Sequence, residues 1–114
     1  MKKLKTLKMN YEFKNVFLNG KYFVNNQIIT YIKKNNLDYN RIGIAISSKK
    51  FHAVKRNHIK RLVRAAYQNY KDELDKSYDI VFVWNKKCEA DEADYKIINK
   101  DLKKAFLKAG ILKK

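Results

Sequence analysis

The sequence predicts a single α+β domain whose elements run αβββαβα, a two-layer sandwich of sheet and helices. Three observations lead there. The chain has 114 residues, 46% of them hydrophobic, enough for one packed core and too few for two. It has no Pro, three Gly and no repeat or low-complexity linker, so 1–114 reads as one domain with a basic tail at 1–8 that is open to being ordered or disordered. The spacing of apolar residues alternates between the helical period of about 3.6 and the strand period of about 2.

Asn10 is positioned to cap a short helix with Phe13, Val16 and Phe17 at helical spacing, and Gly20 offers the backbone freedom of a C-terminal cap. Lys21 to Val24 reads as a first strand. Gln27 to Ile32 is β-branched and aromatic, a second strand with Ile29 and Tyr31 on one face. A turn through Asn35, Asn36 and Asp38 leads to Arg41–Ser47, where Ile42, Ile44 and Ile46 alternate with Gly43 and Ala45 and make one heavily packed face. These three strands are expected to form a meander.

From Ala53 to Tyr70 the period is helical, with Ile59, Leu62, Val63, Ala66, Tyr67 and Tyr70 in one stripe and Lys60, Arg61, Arg64 and Lys71 largely opposite. Tyr78 to Trp84 is nearly continuously apolar, as a strand covered on both faces should be. A last helix spans Ala93 to Ala109 on the stripe Tyr95, Ile98, Leu102, Ala105, Phe106 and Ala109, and Gly110 stops it. Glu89, Asp91, Glu92 and Asp94 precede it and read as complements to its dipole rather than as metal ligands.

Charge narrows the function. There are 27 Lys and Arg against 11 Asp and Glu, a net +16. Residues 1–71 carry 17 basic and 2 acidic side chains, whereas 72–114 carry 10 and 9. Such a lopsided field calls for a polyanion, and nucleic-acid phosphates neutralise it while releasing counterions. No membrane is expected, because the longest apolar runs fall far short of the ~20 residues that cross a bilayer. The basic N-terminus lacks the apolar core of a secretory signal, and a lone Cys88 has no internal disulfide partner, so the expected location is the reducing cytoplasm. There is no Gly-rich phosphate loop, no zinc spacing and no carboxylate pair near the two His, so neither catalytic nor metal residues are expected in this chain. Self-association has no signal for or against it.

The cationic chemistry concentrates in Lys49-Lys50-Phe51-His52-Ala53-Val54-Lys55-Arg56-Asn57-His58-Ile59-Lys60-Arg61-Leu62-Val63-Arg64. Arg grips phosphate oxygens with a planar fork, Lys adds mobile charge, and a helix N-terminus contributes free N–H groups. Phosphate binding follows from this, and sequence specificity does not. Phe13 and Phe17 have two readings from the residues alone: core positions of an amphipathic helix, or rings open to a ligand.

The run Ala53-Val54-x-Arg56-Asn57-x-Ile59-Lys60-Arg61-Leu62-Val63-Arg64 resembles the signature helix of bacterial ribonuclease P proteins. Three further segments resemble the same family: Glu12-Phe13-Lys14-Asn15-Val16-Phe17-x-Asn19-Gly20, Arg41-Ile42-Gly43-Ile44-Ala45-Ile46-Ser47, and Tyr78-Asp79-Ile80-Val81. The likeness covers roughly residues 4 to 109. It implies a four-stranded mixed sheet packed with helices, similar to the second domain of a small-subunit ribosomal protein. It also implies a protein subunit that supports a catalytic ribonuclease P RNA, which uses Mg²⁺ to remove the 5′ leader of precursor tRNA. By position, Arg56, Asn57, Lys60, Arg61 and Arg64 would contact that RNA, joined by His58 and by Lys49 in the preceding loop. Phe13, Phe17, Ile29 and Tyr31 match the cleft that receives the leader, where unpaired bases stack on aromatic rings.

Two positions depart from the family pattern. His58, mostly neutral at its ordinary pKa near ~6.5, stands where a strongly basic residue is usual. Phe51-His52 stands where the family tends to have Gly, so the turn into the helix lacks ready access to positive φ. Two other readings are open to the residues: a ribosomal-type RNA-binding protein, and a DNA-binding protein using Ala53–Tyr70 as a recognition helix. The second fits poorly, since that helix offers mainly Arg and Lys rather than a mixed base-reading set.

Overall fold

The computed structural model describes residues 4–112. Its main elements are α1 (Asn10–Asn19), β1 (Lys21–Val24), β2 (Ile28–Lys34), β3 (Arg41–Ala45), α2 (Ala53–Gln68), β4 (Tyr78–Trp84) and α3 (Tyr95–Ala109), the predicted order. Single 3₁₀ turns at Lys71–Glu73 and Ala90–Glu92 link the later elements.

The strands lie in the order β1-β2-β4-β3, antiparallel except for the parallel β3–β4 pair. This corrects the expected meander. β1 and β2 do form a hairpin, but β3 lies at the far edge, Ile42 opposite Ile80 and Ala45 opposite Val83. β4 accounts for the difference. Its apolar side chains alternate onto both sheet faces, which suits a central strand with a neighbour on each edge. The α2 segment supplies the long crossover that a parallel pair requires.

Ile80, Phe82 and Trp84 of β4 meet Ile59, Val63 and Tyr67 of α2 and Ile98, Leu102 and Phe106 of α3 in the main core. This is the sandwich of sheet and helices. On the other face α1 buries Val16 completely, and together with Leu7 it closes over Val81. Within the basic 1–8 stretch, the Leu7 N–H donates to the Ile42 carbonyl (2.9 Å) and the Ile42 N–H to that of Lys5 (2.9 Å), so residues 5 to 7 extend the β3 edge. Residues 1–3 of that stretch lie outside the described residues.

Several terminal features differ in detail from expectation. Met9, not Asn10, is the N-cap of α1, and the Glu12 carboxylate accepts from the N–H groups of Lys8 (2.7 Å) and Met9 (2.9 Å). Gly20 does follow α1, but with φ −90° and ψ 168°, an extended conformation open to any residue. It is glycine for space: a Cβ there would lie 2.7 Å from the Val16 carbonyl oxygen and 2.9 Å from that of Ile32. Gly110 stops α3 as expected, and does so in the left-handed conformation, at φ 78°. Asp94 caps α3 by accepting from the Lys96 and Ile97 N–H groups, so the helix starts at Tyr95 rather than Ala93. α2 ends at Gln68, two residues short of Tyr70.

Candidate nucleic-acid interface

The α1-facing side of β3 carries small residues, and that is what leaves room for a groove. Ile42 is buried towards the main core and Ile44 and Ile46 pack against it, while Gly43 and Ala45 face the opposite way. A Cβ on Gly43 would lie 2.5 Å from Phe13 Cε2 and 2.7 Å from Phe13 Cζ. The ring therefore rests on bare backbone.

An ion-pair bridge fixes α1 at this height. Arg41 donates from Nη1 to Glu12 Oε2 (2.8 Å), and from Nε and Nη2 to the two carboxylate oxygens of Asp79 (2.9 and 2.8 Å). Asp79 is buried and also accepts from the Asn35 amide at 2.8 Å, so its charge is well compensated. The N–H of Met9 first, then that of Lys8, hold the Glu12 carboxyl below the ordinary glutamate range. Arg41 adds to them, and together they outweigh desolvation. The forked hydrogen bonds to Asp79 keep the Arg41 guanidinium charged still more firmly than usual.

Between α1, β2 and β3 lies an open groove of about 600 Å³ lined by Phe13, Phe17, Tyr31, Ile44, Ala45 and Lys60, among others. The Phe17 and Tyr31 rings meet edge to face, centroids 4.9 Å apart. The two α1 aromatics differ: Phe17 is 39% exposed in the groove, whereas Phe13 lines the groove and also packs against the cluster of Leu7, Val16 and Val81. Ile29 shares the sheet face of Tyr31 but lines a separate hollow of about 380 Å³ with Phe51 and Trp84. That hollow shares Ala45, Ser47 and Val83 with the groove. At the opposite end a third hollow shares Phe13, Ile44 and Lys60 and adds Arg64 and Lys8. The three form one furrow, apolar in its floor and cationic at its α2 end.

On α2, Asn57, His58, Arg61 and Arg64 are exposed, and Arg56 and Lys60 are half-buried. The Arg56 Nε atom is buried without a hydrogen bond. Lys60 does not point away from the packed side as its helical position suggested; it stands at the groove wall. Lys49 is exposed in the β3–α2 loop, beside Lys50, whose Nζ donates to the Lys86 carbonyl at 2.7 Å. The loop does without a left-handed residue. Phe51 is buried in the core instead, and His52 enters the helix as an extended cap, φ −72° and ψ 162°.

The acidic residues before α3 are engaged locally. Glu92 accepts from the Glu89 N–H, Asp94 caps the helix, and Asp91 pairs with Lys55 at 3.1 Å. Among the described residues no three His, Cys, Asp or Glu side chains gather where they could hold a metal ion.

Asn10, Ser47 and Val83 also line the groove, and neither they nor the Arg41 bridge stand out in the sequence. The small face of β3, Gly43 and Ala45 opposite three Ile, was the available signal for a groove.

The furrow and the cationic helix coincide with the segments whose sequence resembled one family, and comparison with known proteins gives the same answer. Residues 1–110 match the sequence model of the family described as Ribonuclease P. The chain belongs to the ribonuclease P protein family. The Ribonuclease P protein component of Clostridioides difficile is 36% identical over 108 residues, 94% of this chain and 93% of that one. That of Bacillus cereus is 38% identical over 112 residues, 97% of this chain and 96% of its own. Among solved structures, the RNase P protein of Staphylococcus aureus superposes with a TM-score of 0.81 at 27% identity, over 97% of this chain and all 100% of that chain. The Thermotoga maritima protein gives 0.76 at 30% identity, over 88% and 93%. The ribonuclease P protein fold is thus shared along nearly the whole chain.

Proposed function

We propose that this chain is the protein subunit of a ribonuclease P ribonucleoprotein, gripping the catalytic RNA with α2 and the 5′ leader of precursor tRNA with the furrow. Lys60 carries the reading. It belongs to the signature helix and also walls the groove of Phe13, Phe17 and Tyr31, so a phosphate-binding face continues into a base-stacking surface.

Arg56, Asn57, His58, Arg61 and Arg64, with Lys49 from the loop, engage phosphates of the catalytic RNA. Leader bases stack on Phe17 and Tyr31, with Phe13 and Ile29 as apolar walls. Stacking is largely indifferent to base identity, which suits a protein that meets many leaders. The endonucleolytic step, hydrolysis of the phosphodiester that frees the mature tRNA 5′ end, belongs to the RNA subunit and its Mg²⁺. Among the described residues no three His, Cys, Asp or Glu side chains gather to offer Mg²⁺ a site, so the ion is assigned to the RNA. The work of this chain is to hold the leader and brace the RNA. It acts in the cytoplasm; among the described residues no helix is long and apolar enough to cross a membrane.

The test is to reconstitute the protein with a bacterial ribonuclease P RNA and compare affinities for precursor tRNA and leaderless mature tRNA. Phe17→Ala lowers the affinity for the precursor by about fivefold or more, the value of one lost stacking contact, and leaves mature tRNA unchanged. Equal losses for both tRNAs contradict the cleft assignment.

A further inference from the structure

We infer that the leader path continues past the groove, over Tyr22 at the free edge of the sheet and on to Lys104 and Lys108 of α3. This rests on the leader reading above and extends it to residues outside the furrow.

The register of the hairpin sets Tyr22 directly opposite Tyr31 and Val24 opposite Ile29. Directly opposed side chains share a sheet face, so both extend the furrow's face by one strand. The Tyr22 and Tyr31 rings lie 5.5 Å apart at a tilt of 30°, and Tyr31 in turn meets Phe17 at 4.9 Å. Three rings form a row that starts in the groove and ends outside it. β1 is an edge strand, and its Tyr22 and Val24 are 62% and 60% exposed.

Around that edge lies a hollow of about 690 Å³ lined by Tyr22, Val24, Leu107, Lys104 and Lys108. Its charged side chains are both lysines, and among the described residues neither forms an ion pair. An aromatic ring followed by two uncommitted cations is the combination that holds a single strand, base on the ring and phosphate on the ammonium groups. A second copy of this chain is a poor occupant, since it would bring the same lysines and a net charge of +16 to the contact.

The experiment uses the reconstituted holoenzyme and a series of precursor tRNAs whose leaders are shortened nucleotide by nucleotide. With wild-type protein, affinity rises with leader length until the Tyr22 edge is filled. Tyr22→Ala makes the curve level off early, with a loss of about fivefold for long leaders and none for short ones. Tyr22→Phe, which keeps the ring, restores the wild-type curve. Lys104→Gln with Lys108→Gln lowers the salt slope for long leaders by about 1.4, the single-strand value for two phosphate contacts, and leaves short leaders untouched. If the Tyr22→Ala curve matches wild type while Phe17→Ala still weakens leader binding, the extension is wrong and the groove stands. If neither variant shifts the curve, the groove assignment falls with it. A change in the sedimentation of free Tyr22→Ala protein, with no change in the leader curve, assigns the edge to self-association and overturns the proposal.

Discussion

The ring of Phe13 occupies the space that a side chain at position 43 would need: a Cβ on Gly43 would approach Phe13 Cε2 to 2.5 Å. The depth of the groove floor is therefore set by the absence of one carbon. Gly43→Ala meets the far end of a side chain rather than backbone, so the protein folds, with a loss of about 1 kcal/mol from local overpacking. The displaced ring narrows the groove. The expected result is a severalfold loss of precursor over mature tRNA discrimination, read in paired binding curves, with catalytic-RNA affinity unchanged.

Arg41 joins three elements through Glu12 and Asp79. Arg41→Ala strands the buried Asp79 carboxylate, and losing one partner of such a pair costs about 3 kcal/mol. Arg41→Lys keeps the charge but loses the fork, and should recover part of the deficit. Urea unfolding of the three proteins gives the ranking; an alanine variant as stable as wild type would show the bridge to be inert.

Acid should reveal the same bridge. Glu12 has a folded-state pKa below the ordinary 4.5. The stability it contributes is fully present above that value and is lost as pH falls from there through the lower folded-state pKa. Glu12→Gln therefore flattens the stability profile on the acid side and costs most near neutrality. A profile parallel to wild type across pH 3–7, a range spanning the ordinary carboxylate values of about 4, would exclude this role.

Asp101 is buried in the α3 stripe and accepts from the N–H groups of Gln27 (2.7 Å) and Ile28 (3.0 Å), pinning the start of β2 to the helix. Asp101→Leu leaves two buried donors unsatisfied and should cost about 2–4 kcal/mol. Thermal unfolding checks this, and a neutral result would mean that the donors find other partners.

Arg56 and Arg61 belong to the signature helix. Replacing either with Ala should weaken catalytic-RNA binding and reduce the slope of log K against log salt by about 1. Binding isotherms over a range of KCl give the slope; an unchanged slope for both variants counts against α2 as the phosphate-gripping face.

What could be read from the residues was what depends on local period and covalent chemistry. The alternation of Ile42, Ile44 and Ile46, the apolar run of β4, the stripe of α2 and the helix stop at Gly110 all follow from a few neighbouring residues. The place of β3 in the sheet did not, because a strand's partner is set by the crossover and by which other strand is apolar on both faces. Gly20 was read through backbone freedom, whereas its reason is the Val16 and Ile32 carbonyls, and Ile32 is distant in sequence. The Arg41 bridge joins residues in three separate segments, so no window of sequence contains it. The candidate RNA face was legible as a charge pattern, but the meeting of Lys60 with Phe13, Phe17 and Tyr31 depends on how α2 packs beside the β3 edge. Asp101 had left a trace: an acid three residues after Ile98 and one before Leu102, inside an apolar stripe.

The most direct measurement is cleavage of a labelled precursor tRNA by a bacterial ribonuclease P RNA at low Mg²⁺, with and without this protein. The account predicts that RNA alone is inactive there, protein alone never cleaves, and the two together release the leader at the mature 5′ end. Failure of the protein to rescue cleavage, or cleavage by the protein without RNA, would contradict it.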